Sequence, residues 1–201
     1  MFNRFKQISL SSHWLWVLAL CYLLATPPLQ AKGQALDPEL RNLLVSAIND
    51  SDSFQDRFDA EVWLLDMSKR LQKRVRKQNH KQQLQLLKLI HAEATRAALP
   101  PELVLAVIEV ESNFDRWALS HAGAQGLMQV MPFWLKEIGK PDDNLFHVQT
   151  NLRLGCTILK YYLDKENGDL TRGLARYNGS LGRNVYPNKV FEALRKRWYR
   201  Q

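Results

Sequence analysis

The sequence predicts an all-α fold, and three observations predict it. Apolar residues recur at three- and four-residue spacing through most of the chain. Cap residues, prolines and glycines punctuate those periodic segments where helices start and stop. No stretch alternates apolar and polar residues as a half-buried strand would, and no internal repeat is present.

Residues 1–31 read as a signal peptide. Arg4 and Lys6 give a positive start, HWLWVLALCYLLA (His13 to Ala25) is a short apolar run, and Leu29-Gln30-Ala31 offers small-residue cleavage chemistry. An uncleaved N-terminal anchor is the alternative. Cys21 follows Leu20 rather than a small residue, which argues against lipid attachment there. After cleavage one cysteine remains, Cys156, so no internal disulfide can form. Its setting, LGCTILKYYL, is an apolar helix face that suits a small buried filler. Neither CxxC nor HExxH occurs, and no metal or other cofactor is expected.

The helices follow in order. Asp37-Pro38-Glu39 supplies an N-cap, a first-turn proline and an acid before LRNLLVSAI. DAEVWLLDMSKRLQKRV places Val62, Leu65, Leu71 and Val75 at helical spacing. KQQLQLLKLIHAEATRAAL does the same with Leu84, Leu87, Ile90 and Ala94. Pro100-Pro101 ends that helix and begins the next. PFWLKEIG and TNLRLGCTILKYYLDKENG come later, the second stopped by Gly168, and Asp169 caps LTRGLARYN. A last helix is expected over about Asn188 to Arg200, with Arg195, Lys196, Arg197 and Arg200 at its C-terminal end. The polar KQNHKQQ sets a boundary between an N-terminal helical extension, 32–81, and a compact helical domain, 82–201.

Charge narrows the partners. The chain has 28 basic and 20 acidic residues, a net +8. An exported basic protein suits a cell-wall polymer, a membrane surface or a nucleic acid. KRLQKRVRK, Lys69 to Lys77, reads as an anion-binding run or as a solvated helix face. It lacks interleaved aromatics, which together with the export signal argues against nucleic acid.

VIEVESNFDRWALS raises a sharper question. From a helix start at Pro101, Val104, Val107, Ile108 and Glu111 share one face. Glu102 and Glu109 lie on another and read as solvated acids. Glu111 therefore ends the core-facing stripe, where desolvation and the helix C-terminal dipole both raise its pKa. A carboxylic acid kept protonated near neutral pH can donate to a leaving oxygen, as glycosidic cleavage requires. A structural glutamate at a helix end is the plain alternative. HAGAQGLMQVMP, His121 to Pro132, can bring backbone amides and Gln129 to a ligand, or it can be an ordinary helix start. ARYNGS, Ala175 to Ser180, ends a helix with Tyr177 and Asn178, either sugar-facing groups or a simple C-cap.

Taken in order, ESNF, GAQGLMQVMP and RYNG resemble the signature of the soluble lytic transglycosylases, over roughly Gln85 to Arg200. The spacing from Glu111 to Ser120, Gln129 and Met131 fits that pattern without a gap. The resemblance implies a lysozyme-like helical domain related to goose-type lysozyme. It implies a periplasmic or cell-envelope enzyme, a carbon–oxygen lyase that cleaves peptidoglycan to 1,6-anhydromuramyl ends without water. Glu111 would be the sole catalytic acid, then base. Ser120, Gln129 and Met131 would line sugar subsites, Tyr177 and Asn178 would face Glu111, and Ser112 would pack beneath it. Peptidoglycan glycan strands are the expected partner of a monomer, with the N-terminal helices available to a cell-envelope protein. The family usually has AYNAG where this chain has RYNGS, and a proline or small residue where His121 stands. A hydrolytic muramidase on the same fold would want a second acid, Asp115 or Asp142. A non-catalytic wall-binding module would tolerate loss of Glu111.

Overall fold

The computed structural model describes residues 56–75 and 79–199, apart from the side chain of Arg57. The expected signal peptide and the helix expected from Asp37 lie outside the described residues. Among those described, the secondary structure is helical, with two isolated β-bridges and no extended strand. The helices are α1 (Arg57–Gln72), α2 (His80–Arg96), α3 (Pro101–Ser112), α4 (Phe133–Ile138), α5 (Val148–Lys165), α6 (Leu170–Tyr177) and α7 (Val185–Ala193). A short π-helical turn, Leu194–Trp198, continues α7. No described helix is long and apolar enough to cross a membrane.

Local chemistry sets most boundaries. The Asp56 carboxylate accepts the Phe58 and Asp59 amides and starts α1. Within the polar KQNHKQQ stretch, Asn79 and Gln82 form a reciprocal capping box that starts α2. Asp169 accepts the Arg172 amide at the head of α6. The last helix begins at Val185, earlier than its charge pattern suggests, because Pro187 fits a first turn that needs no amide donor.

α3 is the central element. Leu103 to Ile108 are all at most 2% exposed, so the helix is covered on every side rather than on one stripe. α2, α7 and the π-helical turn pack around it, and α5 packs on α2 and α6. α1 contributes Ala60, Trp63, Leu64, Met67 and Leu71 to the same core.

That enclosure overturns the reading of Glu102 and Glu109 as solvated acids. Glu102 accepts the Trp63 indole N–H at 2.8 Å. Glu109 is 7% exposed and sits beneath the turn after α1 and the π-helical turn. It accepts the Trp198 indole at 2.7 Å, pairs with Arg197 at 2.6 Å, and pairs with Arg74. A charge this buried is stable only with such partners.

Candidate active site

Glu111 occupies the last turn of α3, which stops where Asn113 and Phe114 take left-handed φ values of 48° and 65°. Burial pushes its carboxyl pKa from the ordinary 4.5 up to about 7, partly offset by the Tyr186 phenol. Tyr186 reaches it from the first turn of α7. Its hydroxyl is buried and has no partner at full hydrogen-bonding geometry among the described residues, but it lies close enough to Glu111 to lower that carboxyl's pKa. Tyr177 closes α6 and donates to the Met128 carbonyl at 2.7 Å. Burial, and then the Glu111 charge, suppresses ionisation of both phenols. One acid from α3 and two neutral phenols from α6 and α7 thus share one poorly solvated region.

The segment 113–132 forms the adjoining loop. Gln125 exchanges both main-chain bonds with Val130 at 3.0 Å, and the Gly126 amide donates to Ala118. Ser120 is half-buried, and its hydroxyl accepts the Ala124 amide at 3.0 Å. Gln129 has φ 49°, and its amide nitrogen donates to the Ala118 and Gly126 carbonyls. Its donors are therefore turned back into the loop, which leaves the carboxamide oxygen as the atom available to a ligand. Ser112 acts structurally, donating to the Leu127 carbonyl at 2.7 Å and so tying α3 to the loop.

Asn151 of α5 anchors the same loop. Its side-chain oxygen accepts the Met128 amide, and its nitrogen donates to the Gln125 and Leu145 carbonyls, each at 2.8 Å. Gly126 lies against this anchor with φ 76°. A Cβ there would strike the Asn151 amide and sit 2.6 Å from the Leu145 oxygen. Gly126→Ala is expected to cost about 2–3 kcal/mol, combining a strained φ with overpacking. A melting curve checks it; a shift below about 2 °C would show that the loop relaxes freely.

The structure brings Tyr177 close enough to feel Glu111 and places Ser120 and Gln129 in one bonded loop. Met131 is half-buried just before α4, and Asn178 is an exposed C-cap of α6; neither shows a side-chain hydrogen bond among the described residues. Asp115 caps the Trp117 amide at 2.9 Å, and Asp142 is exposed. Arg176, which departs from the family pattern, pairs with the buried Glu166 of the α5–α6 junction. Tyr186 and Asn151 were not singled out by the sequence. Among the described residues no group of three or more His, Cys, Asp or Glu side chains could hold a metal ion.

An acid desolvated at a helix end thus lies near two neutral phenols and a hydrogen-bonded loop in a helical domain. The chain belongs to the transglycosylase SLT domain family, whose model matches residues 88–197. Over 124 residues it is 48% identical to "Membrane-bound lytic murein transglycosylase C" of Actinobacillus pleuropneumoniae serotype 5b (strain L20), covering 54% of this chain and 33% of that protein. Over 116 residues it is 32% identical to the "Transglycosylase" of Enterobacteria phage PRD1, covering 54% of this chain and 43% of that protein. Among solved structures it is similar to an inactive mutant of lytic transglycosylase Slt from Pseudomonas aeruginosa, with a TM-score of 0.43 and 26% identity. That similarity covers 52% of this chain and 20% of the other.

Proposed function

We propose that this protein is a peptidoglycan lytic transglycosylase of the cell envelope, cleaving the MurNAc-β-1,4-GlcNAc bond with Glu111 as acid and then base. The observation that carries the reading is the Glu111 carboxyl, held by burial at a pKa of about 7. Near neutral pH such a group populates its acid and base forms about equally, so it can give a proton and also take one back. Family membership over 88–197 and the murein-acting names of the relatives support the substrate class.

The chemistry balances with one carboxyl group. Protonated Glu111 gives its proton to the glycosidic oxygen as the bond to the muramyl C1 breaks. The muramyl N-acetyl oxygen stabilises C1. The Glu111 carboxylate then removes the proton of the sugar's own 6-hydroxyl, whose oxygen bonds to C1 and closes the 1,6-anhydro ring. Glu111 ends protonated, ready for another cycle, and no water is consumed. A two-carboxylate hydrolysis finds less support, because Asp115 is engaged in capping and Asp142 is exposed. Mass spectrometry of products from purified sacculi tests this: anhydromuramyl ends are expected, and reducing ends alone would assign a hydrolase.

Tyr177 acts in this scheme as a positioning residue for the Met128 segment. Tyr177→Phe removes the bond to the Met128 carbonyl and is expected to cost about 1 kcal/mol of stability. Muropeptide release should fall further than sacculus binding. Equal losses in both would make Tyr177 a binding platform only.

A further inference from the structure

The basic run that begins at Lys69 is not used by the Glu111 site. Its described part ends α1 and, together with the π-helical turn, lines a cavity of about 520 Å³. Lys69, Arg70, Lys73 and Arg74 enter from the first side, Lys196 and Arg197 from the second, and the buried Trp198 forms part of the wall. Glu109 and Glu111 are two residues apart on α3 and so point about 200° apart around it. The cavity therefore lies on the opposite side of α3 from the acid–base site.

Its charges do not balance. Asp66 pairs with Arg70 at 2.8 Å, and Glu192 pairs with Lys196 on the exposed rim at 2.7 Å. Glu109 alone serves both Arg74 and Arg197, whose side chains remain about a third exposed, at 35% and 33%. Lys69 and Lys73 have no acidic partner among the described residues. Six cations thus face three carboxylates. Arg74 also holds its proton less firmly than a free arginine, from partial burial and then from the charge of Arg197. Each guanidinium has five N–H donors, and the shared carboxylate leaves several unused. Lys69, Lys73, Arg74 and Lys196 are exposed, and with Arg70 and Arg197 they gather from two elements around one concavity open to a ligand from solvent.

We propose that this cavity binds a phosphate group, as a phosphomonoester or diphosphate, carried by a soluble molecule or by a lipid headgroup. An excess of three positive charges calls for a multiply charged anion, and a phosphate near neutral pH carries about −1.5 to −2 per group. Its several oxygens can accept from forked guanidiniums and from ammonium groups together, which a lone carboxylate cannot do. The site lies on the opposite side of α3 from Glu111, so its ligand would not take part in bond cleavage, and a lipid-borne phosphate would hold the protein at a membrane surface.

Sodium pyrophosphate titrated calorimetrically into the full chain at near-physiological salt tests the proposal. Saturable binding of one pyrophosphate per chain is expected. Lys69→Gln/Lys73→Gln should weaken it at least about tenfold, through the loss of two charge-assisted contacts. The melting temperature should hold, since neither lysine has a partner to lose. Absent saturation, or equal affinity in the double variant, overturns the site. Phosphatidylcholine vesicles with and without phosphatidic acid then separate the two sources. Binding to the acidic vesicles that pyrophosphate displaces assigns a lipid headgroup. Pyrophosphate binding without vesicle binding assigns a soluble phosphate. Vesicle binding that neither pyrophosphate nor the double variant reduces counts against the cavity.

Discussion

Replacing Glu111 by glutamine is expected to abolish muropeptide release while leaving the helical fold intact. Glutamine keeps the size and polarity of the side chain but can neither give nor take the proton. The stability effect has a definite sign. The folded carboxyl has its pKa raised from 4.5 to about 7. Its contribution to stability is therefore fully present below about pH 4.5 and is lost as pH rises to about 7. Glu111→Gln should accordingly match the wild type in acid. Above neutrality it should exceed it by on the order of 1–3 kcal/mol. Wild-type release should decline as pH climbs past about 7, because the acid form disappears. Urea melts at two pH values, paired with release assays, measure both effects. A well-folded glutamine variant that still releases anhydromuropeptides would remove Glu111 from the mechanism.

Glu109→Gln, two residues earlier, should behave in the opposite way. The carboxylate neutralises Arg74 and Arg197 and accepts the Trp198 indole in one buried cluster. Glutamine would leave two guanidiniums facing each other across a neutral amide. Breaking a buried pair costs about 3–5 kcal/mol, and the partial exposure of both arginines places this case near about 3. For a domain of this size the melting temperature should drop by roughly 6–12 °C. A loss under about 1 kcal/mol would mean that water already solvates the arginines. Together the two substitutions separate an acid kept for chemistry from an acid kept for architecture on a single helix.

The sequence carried the helical architecture because its signals are local. Apolar spacing, Asp169 as a cap, and Asn167 and Gly168 at φ 53° and 83° need no knowledge of distant residues. Glu111 was legible for the same reason, as the end of a stripe. Glu109 was misread because the one-face argument assumes that a helix has a wet side. The signal against that assumption was present in PELVLAVIEV, where Leu103, Leu105 and Ala106 fill the faces between Val104, Val107 and Ile108. Tyr186 stayed hidden within NVYPNK, where the exposed Val185 blurs the pattern and only tertiary packing turns the phenol toward Glu111. Arg176 reads as a change at the site but acts on Glu166, a partner ten positions away that only the α5–α6 junction reveals.

Asn151 has a consequence for how such a protein can drift. Three of its four hydrogen-bonding positions are committed to main-chain atoms of Gln125, Met128 and Leu145. The outline of the 113–132 loop is thus dictated from beneath by a residue only 1% exposed. Exchange of its nitrogen for oxygen, as in aspartate, would preserve the silhouette yet set a negative atom against two carbonyls. Substitutions at position 151 would therefore reshape that loop from behind, through a buried buttress rather than through the side chains the loop presents.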